Sequence, residues 1–172
     1  PDPRDDYLNG RQLFVELDRL RFGCTIIKKS IISSLILLTF SLPISAADVN
    51  TFIINGDATV TDKKTSLMWQ QSEGEAMTWD ASLAYCEGLV LSGYTDWRVP
   101  NIKELASLVD DTKYSPAINI EAFPGTKSLY YWSSTSSECY KDKAWYVYFN
   151  IGIMSYTYQT GSNYVRCVRS EQ

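Results

Sequence analysis

No histidine occurs anywhere in the 172 residues. That absence removes Ser-His-Asp and Cys-His catalysis together with the commonest transition-metal ligand. Methionine is scarce: there are three, and the first is Met68. No apolar run is long enough for a comfortable membrane span, since the longest, over residues 31–42, is about a dozen residues. No internal repeat or low-complexity linker interrupts the chain after residue 48.

What is present divides the chain. Lys28 and Lys29, the apolar stretch, and then Pro43, Ser45, Ala46 and Ala47 match the three regions of a secretory signal peptide over residues 26–47. Cleavage after Ala46 or Ala47 is expected, and Ser45 favours the second, so the mature protein would begin at Asp48. The alternative, an uncleaved anchor, is disfavoured by Pro43, which breaks a helix just before the small residues. No cysteine follows the apolar stretch, which argues against a lipoprotein. Residues 1–25 read as an upstream extension, either a translation artefact or an amphipathic segment with Leu13, Phe14, Leu17 and Leu20 at helical spacing. The expectation is an exported protein, periplasmic, secreted or at the cell surface, with one domain over residues 48–172.

That domain carries 10 Lys+Arg (16 less the 6 before residue 48) against 15 Asp+Glu (20 less 5), a net charge of −5. The balance argues against nucleic acid or other polyanions as electrostatic partners. Arg166 and Arg169 are the candidates for a local basic patch. Aromatic residues are abundant, with five Trp and twelve Tyr in the chain. They suit an aromatic core with some rings left for a binding surface.

Turn chemistry punctuates residues 51–71, where Asn55-Gly56-Asp57 and Asp62-Lys63-Lys64 separate short apolar runs. Asn55, Asp57 and Asp62 invite comparison with a calcium loop, but the EF-hand pattern finds Ser66 where it needs an acid, so plain turns are expected. Thr78 is a good N-cap for a helix running to about Leu89, with Trp79, Leu83 and Cys86 on one face. A second helix is predicted over residues 100–109, with Asn101 and Glu104 at capping-box spacing and Ile102, Leu105, Leu108 and Val109 as its buried stripe. Residues 111–130 read as irregular. Strands follow over 130–135, 144–149, 152–158 and 164–169, rich in aromatic and β-branched residues. Two helices packed on an antiparallel sheet, with a long irregular loop region, make an α+β domain.

Cys86, Cys139 and Cys167 would sit in an oxidising compartment, where three pairings are open. Cys86 with Cys167 is favoured, because both lie in inward-facing regular elements while Cys139 lies in a polar turn. That bond would close a loop of about 80 residues, worth about 4 kcal/mol of loop entropy. Cys139 would then stay a thiol or pair with another chain.

Six ordered blocks carry a family resemblance: Val60-Thr61-Asp62, Leu67-Met68-Trp69, Trp79 with Ala84-Tyr85-Cys86, Gly93-Tyr94 with Asp96-Trp97-Arg98-Val99-Pro100 and Glu104-Leu105, Tyr131-Trp132-Ser133-Ser134, and Val165-Arg166-Cys167-Val168-Arg169. Together they cover nearly all of residues 52–169. The chain resembles the C-terminal domain of the Legionella collagen-like protein. That family is similar in fold to C-type lectins and to formylglycine-generating-enzyme-like domains, so the resemblance implies a C-type-lectin-like fold, paired terminal strands and a disulfide between Cys86 and Cys167. It also implies adhesion or ligand binding, with glycosaminoglycan binding described for the namesake. This chain departs from that protein in lacking a collagen-like repeat and in being acidic.

Asp96 and Arg98, flanking Trp97, are expected to form a structural ion pair, with Glu104 as a further partner. The paired motifs of calcium-dependent lectins, Glu-Pro-Asn or Gln-Pro-Asp with Trp-Asn-Asp, are absent. Asp110 and Asp111 remain as exposed acids near loop oxygens, and neither a metal nor a cofactor is expected. The candidate ligand-binding residues are Trp145, Tyr146, Tyr148, Asn150, Tyr156, Tyr158, Gln159 and Asn163, whose aromatic-plus-amide character suits stacking on sugars or protein. Of these, residues 156–163 are expected to be the more exposed. The reading is a non-catalytic exported module for an extracellular glycan or surface protein. Its alternatives are a retroelement-diversified display protein and a formylglycine-generating-enzyme-like oxidase, the latter needing Cys139 and Cys167 as an active-site pair.

Overall fold

The computed structural model describes residues 51–170. The expected leader and extension, with Cys24, lie outside them. Three short strands open the domain, Phe52–Ile54 (β1), Thr59–Asp62 (β2) and Leu67–Gln70 (β3). Side chains that bind their own backbone build the turns between them. Asp57 Oδ1 accepts from Thr59 N at 3.1 Å and Asp62 Oδ1 from Lys64 N at 2.9 Å, so these acids are turn residues, as expected. The last strand, Val168–Ser170 (β9), adds antiparallel to β3 and completes a sheet of order β1-β2-β3-β9.

A second sheet holds Gly74–Met77 (β4), Asn163–Val165 (β8), Tyr130–Ser136 (β5), Lys143–Tyr148 (β6) and Ile153–Tyr158 (β7), in the order β4-β8-β5-β6-β7. The domain is α+β as expected, but built on two sheets and not one. β5, β6 and β7 form the anticipated antiparallel meander. β8 does not continue it: the strand returns beside β5 and runs parallel to it, Tyr131 opposite Tyr164.

The single strand expected over 164–169 therefore breaks at Arg166 and Cys167, one half in each sheet. Side-chain hydrogen bonds hold the break. Gln70 Oε1 accepts from Cys167 N at 3.2 Å, and Arg166 Nη1 donates to the carbonyls of Gln70, at 2.9 Å, and Gln71. β4 went unread because Gly-Glu-Ala-Met carries no strand propensity; pairing with β8 makes it a strand.

Thr78 caps the first helix, Trp79–Glu87 (α1), and accepts from Ala81 N at 3.4 Å. Ser82 and Cys86 are buried, and Trp79 and Leu83 half-buried. The second helix is shorter than the predicted span, only Ile102–Ala106 (α2), and its capping box is formed in full. Beyond it, Leu108 N and Val109 N donate to the carbonyls of Leu105 and Ala106, three residues back, so the chain tightens while the same stripe stays packed. Residues 107–129 are irregular, tied by the bridge between Val109 and Ile118 and by Ala117 N donating to Phe149 O at 2.6 Å.

Strand alternation sends neighbouring residues of β3 into two cores. Trp69 joins Val60, Leu105, Phe123, Tyr131 and Val147; Met68 joins Trp97, Val99, Val165 and the cystine of Cys86 and Cys167. That disulfide links α1 to the sheet break, as expected, across a sequence separation of 81.

Candidate functional site

The registers of β6 and β7 decide which aromatic rings meet. Lys143 lies opposite Tyr158, Trp145 opposite Tyr156 and Val147 opposite Met154, so these six share one face. At its Val147 end the face divides, Val147 buried in the core and Met154 opposite it 46 % exposed. At the Lys143 end it is open, with Tyr158 56 % exposed. The β5–β6 turn adds Tyr140, held because Lys143 N donates to Tyr140 O at 3.0 Å and Ser137 N to Lys143 O at 2.9 Å. The Tyr140 and Tyr156 rings stack with centroids 5.6 Å apart, and Trp145 meets Tyr156 edge-on at 5.3 Å. The Lys143 ammonium lies 4.4, 4.7 and 5.4 Å from the ring centroids of Tyr140, Tyr158 and Tyr156.

The opposite face of the meander carries a second cluster. Tyr130 packs against Tyr146 at 5.0 Å and against Tyr148 at 4.5 Å. The candidate binding residues thus divide: Trp145, Tyr156 and Tyr158 on one face, Tyr146 and Tyr148 on the other. Asn150 lies at the far turn, where its carbonyl accepts from Ser115 N at 2.8 Å. Gln159 borders the first cluster, but its Nε2 donates to Lys143 O at 3.4 Å and its carbonyl accepts from Trp79 N at 3.0 Å, so it fastens the strand end. Asn163 corrects the expectation of an exposed 156–163 segment, being only 6 % exposed. β8 lies between β4 and β5 and carries it inside, where its Nδ2 finds no partner among the described residues.

Tyr130, Tyr140 and Lys143 were not singled out from the sequence. The period-two pattern places Lys143 beside Trp145 and would have found it. Tyr140 lies in a turn, beyond the reach of any periodicity.

The Asp-Trp-Arg-Val-Pro segment carries ion pairs, though not the expected one. Asp96 and Arg98 do not pair with each other. Arg98 makes a two-pronged contact with Glu104, at 2.7 and 2.8 Å, while Asp96 accepts from Arg169 at 2.7 and 3.2 Å. The bridge between Arg98 and Val168 explains the exchange, because it brings Arg169 alongside. Trp97 is buried between these pairs. Hydrogen bonding from Arg169 holds the Asp96 carboxyl below its ordinary range.

Nor do Arg166 and Arg169 form a basic patch, since both are buried. Arg169 lies over the Tyr94 ring at 3.7 Å. Arg166 donates to Glu73 at 3.1 Å and Thr126 at 2.9 Å and sits 4.7 Å from the Phe123 ring, and burial lowers its pKa. Asp110 accepts from Thr112 N at 3.0 Å and lies 3.4 Å from Lys113 Nζ. Among the described residues no three Cys, Asp or Glu side chains converge as a metal site. No helix among them is long and apolar enough to cross a membrane. Cys139 lies exposed in the β5–β6 turn.

A family model described as the Lcl C-terminal domain matches residues 58–169, from β2 into β9. The chain belongs to this family. The match spans both sheets, both helices and the disulfide, so the Lcl C-terminal domain and the folded unit nearly coincide. No curated protein matches the chain significantly.

Proposed function

We propose that this Lcl C-terminal domain is a non-catalytic ligand-binding or adhesion module of an exported protein, with a C-type-lectin-like fold and a glycan or other surface polymer as ligand. The lectin-like reading is supported by the return of the C-terminal strand β9 to the N-terminal sheet, where it pairs with β3 and not with the first strand β1, and by the α1-to-C-terminus disulfide. The observation that carries the binding reading is the cluster of Tyr140, Trp145, Tyr156 and Tyr158, rings gathered at one end of a sheet face with Tyr140 and Tyr158 open to solvent. Such rings offer large contact area at low entropic cost. Against the oxidase alternative stands the bond of Cys167 to Cys86, which already engages one thiol of the pair that chemistry requires. The display-protein alternative gains no specific support.

Screening the full chain on a glycan array, with and without a calcium chelator, tests the reading. Binding should appear, survive chelation and fall at least tenfold in a Tyr156→Ala/Tyr158→Ala double variant. Silence across the array, from a folded protein, would count against a glycan ligand.

A further inference from the structure

The Lys143 ammonium meets three ring faces within 5.4 Å. Among the described residues the ion pairs use other cations, namely Arg98, Lys113, Arg166 and Arg169. The Lys143 charge is thus answered by ring quadrupoles and not by a carboxylate, although Asp142 is its sequence neighbour. Several rings converging on one nitrogen is the arrangement by which proteins hold cationic ligands. Here the occupant is the chain's own lysine, on a flexible four-carbon stem at the start of a strand. Two of the three walls are open to solvent, Tyr140 being 46 % and Tyr158 56 % exposed.

We propose that Tyr140, Tyr156 and Tyr158 form a binding site for a quaternary ammonium group, with Lys143 as a built-in competitor that the ligand displaces. The inference rests on the aromatic cluster of Proposed function being a ligand site, and it names the chemistry one part of that cluster accepts. A primary ammonium is strongly hydrated, so the rings compete with water for it. A quaternary ammonium is more weakly hydrated and gains more from the same three faces. Lys143 holds the advantage of being tethered. It therefore weakens the site without abolishing it, and swings out along the exposed side when a ligand enters.

Choline titration of the full chain, followed by tryptophan fluorescence through Trp145 and by NMR line shifts of the tyrosine rings, tests this. Wild type should bind weakly, and Lys143→Met should bind at least tenfold more tightly because the competitor is gone. In the Lys143→Met background, Tyr158→Phe should keep most of that affinity and Tyr158→Leu should lose at least tenfold. This contrast separates ring-face recognition from hydroxyl hydrogen bonding. Thermal unfolding of each variant shows whether the fold is intact, and Tyr158 is exposed enough for both substitutions to be tolerated. Equal affinity in wild type and Lys143→Met overturns the proposal, as does equal affinity in the Phe and Leu variants or no choline binding in any of them. Phosphatidylcholine vesicles identify the source: capture that free choline competes away assigns a lipid headgroup, and choline binding without capture assigns a soluble ligand. A glycan signal that persists while choline fails would leave the broader binding reading standing and remove this one alone.

Discussion

Arg166 and Arg98 show how differently two ion-paired arginines weigh. Arg166 has no exposed side-chain surface and faces Glu73, Thr126 and two main-chain carbonyls, so removing it leaves a largely shielded carboxylate and buried acceptors unanswered. An Arg166→Met variant should lose about 3–5 kcal/mol of stability, read from urea unfolding. Arg98 is 42 % exposed at its side chain, and solvent screening discounts its bond to Glu104. Arg98→Gln should cost about 1 kcal/mol or less in the same assay. A larger loss for Arg98 than for Arg166 would reverse this ranking.

The acid response belongs to the same residues. Burial alone would push the Glu104 carboxyl up, but the Arg98 guanidinium and the Asn101 N–H outweigh it and hold the group below its ordinary value. Asp96 is likewise lowered, by hydrogen bonding from Arg169. For a carboxyl whose folded pKa is depressed, the stabilisation is present above the unfolded value, about 4 for Asp and Glu, and is lost as pH falls through the folded value. Unfolding midpoints should therefore drop on acidification below about pH 4, and Glu104→Gln should flatten that drop. An unchanged acid slope in Glu104→Gln would remove the pair from the account.

At the scale of elements, the contact between α1 and β4 turns on one missing methyl group. A Cβ at Gly74 would lie 2.9 Å from the Tyr85 ring and 3.0 Å from a Val165 methyl. Tyr85 has little room to yield, since its hydroxyl accepts from Gln70 Nε2 at 2.9 Å, and Gln70 in turn holds the break between β8 and β9. Gly74→Ala should cost about 1–3 kcal/mol through overpacking, measured by thermal or urea unfolding, and a neutral result would mean that α1 shifts freely on β4. The sequence announced α1 and α2 through their caps, Thr78 and Asn101, because capping is local and chemical. It did not announce β4, whose four residues become a strand only through a neighbour far along the chain, Val165 opposite Gly74.

Across the whole molecule, the disulfide joins α1 to the point where the chain changes sheets, and β9 closes the first sheet on β3. Replacing both Cys86 and Cys167 with alanine should lower stability by about 2–5 kcal/mol. Both cysteines are buried, so the variant also loses packing. A loss under about 1 kcal/mol would mean that the long loop is already restrained in the unfolded chain.

The sequence by itself determined the α+β class, both helix starts, the strands of the meander, the inward cysteine pair and the family. These follow from caps, period-two patterns and motif order, which act over a few residues or are read directly as text. Only the tertiary structure decided that Asp96 answers Arg169 and not Arg98, that Arg166 is buried instead of forming a basic patch, and that Asn163 is interior. It also decided that the predicted binding aromatics fall on two faces, one of them built around Lys143. The first three depend on β8 and β9 returning to different sheets, a long-range choice held by the side chains of Gln70 and Arg166 and invisible to any local pattern, whereas the division of the aromatics follows from alternation along β6 and from its register with β7.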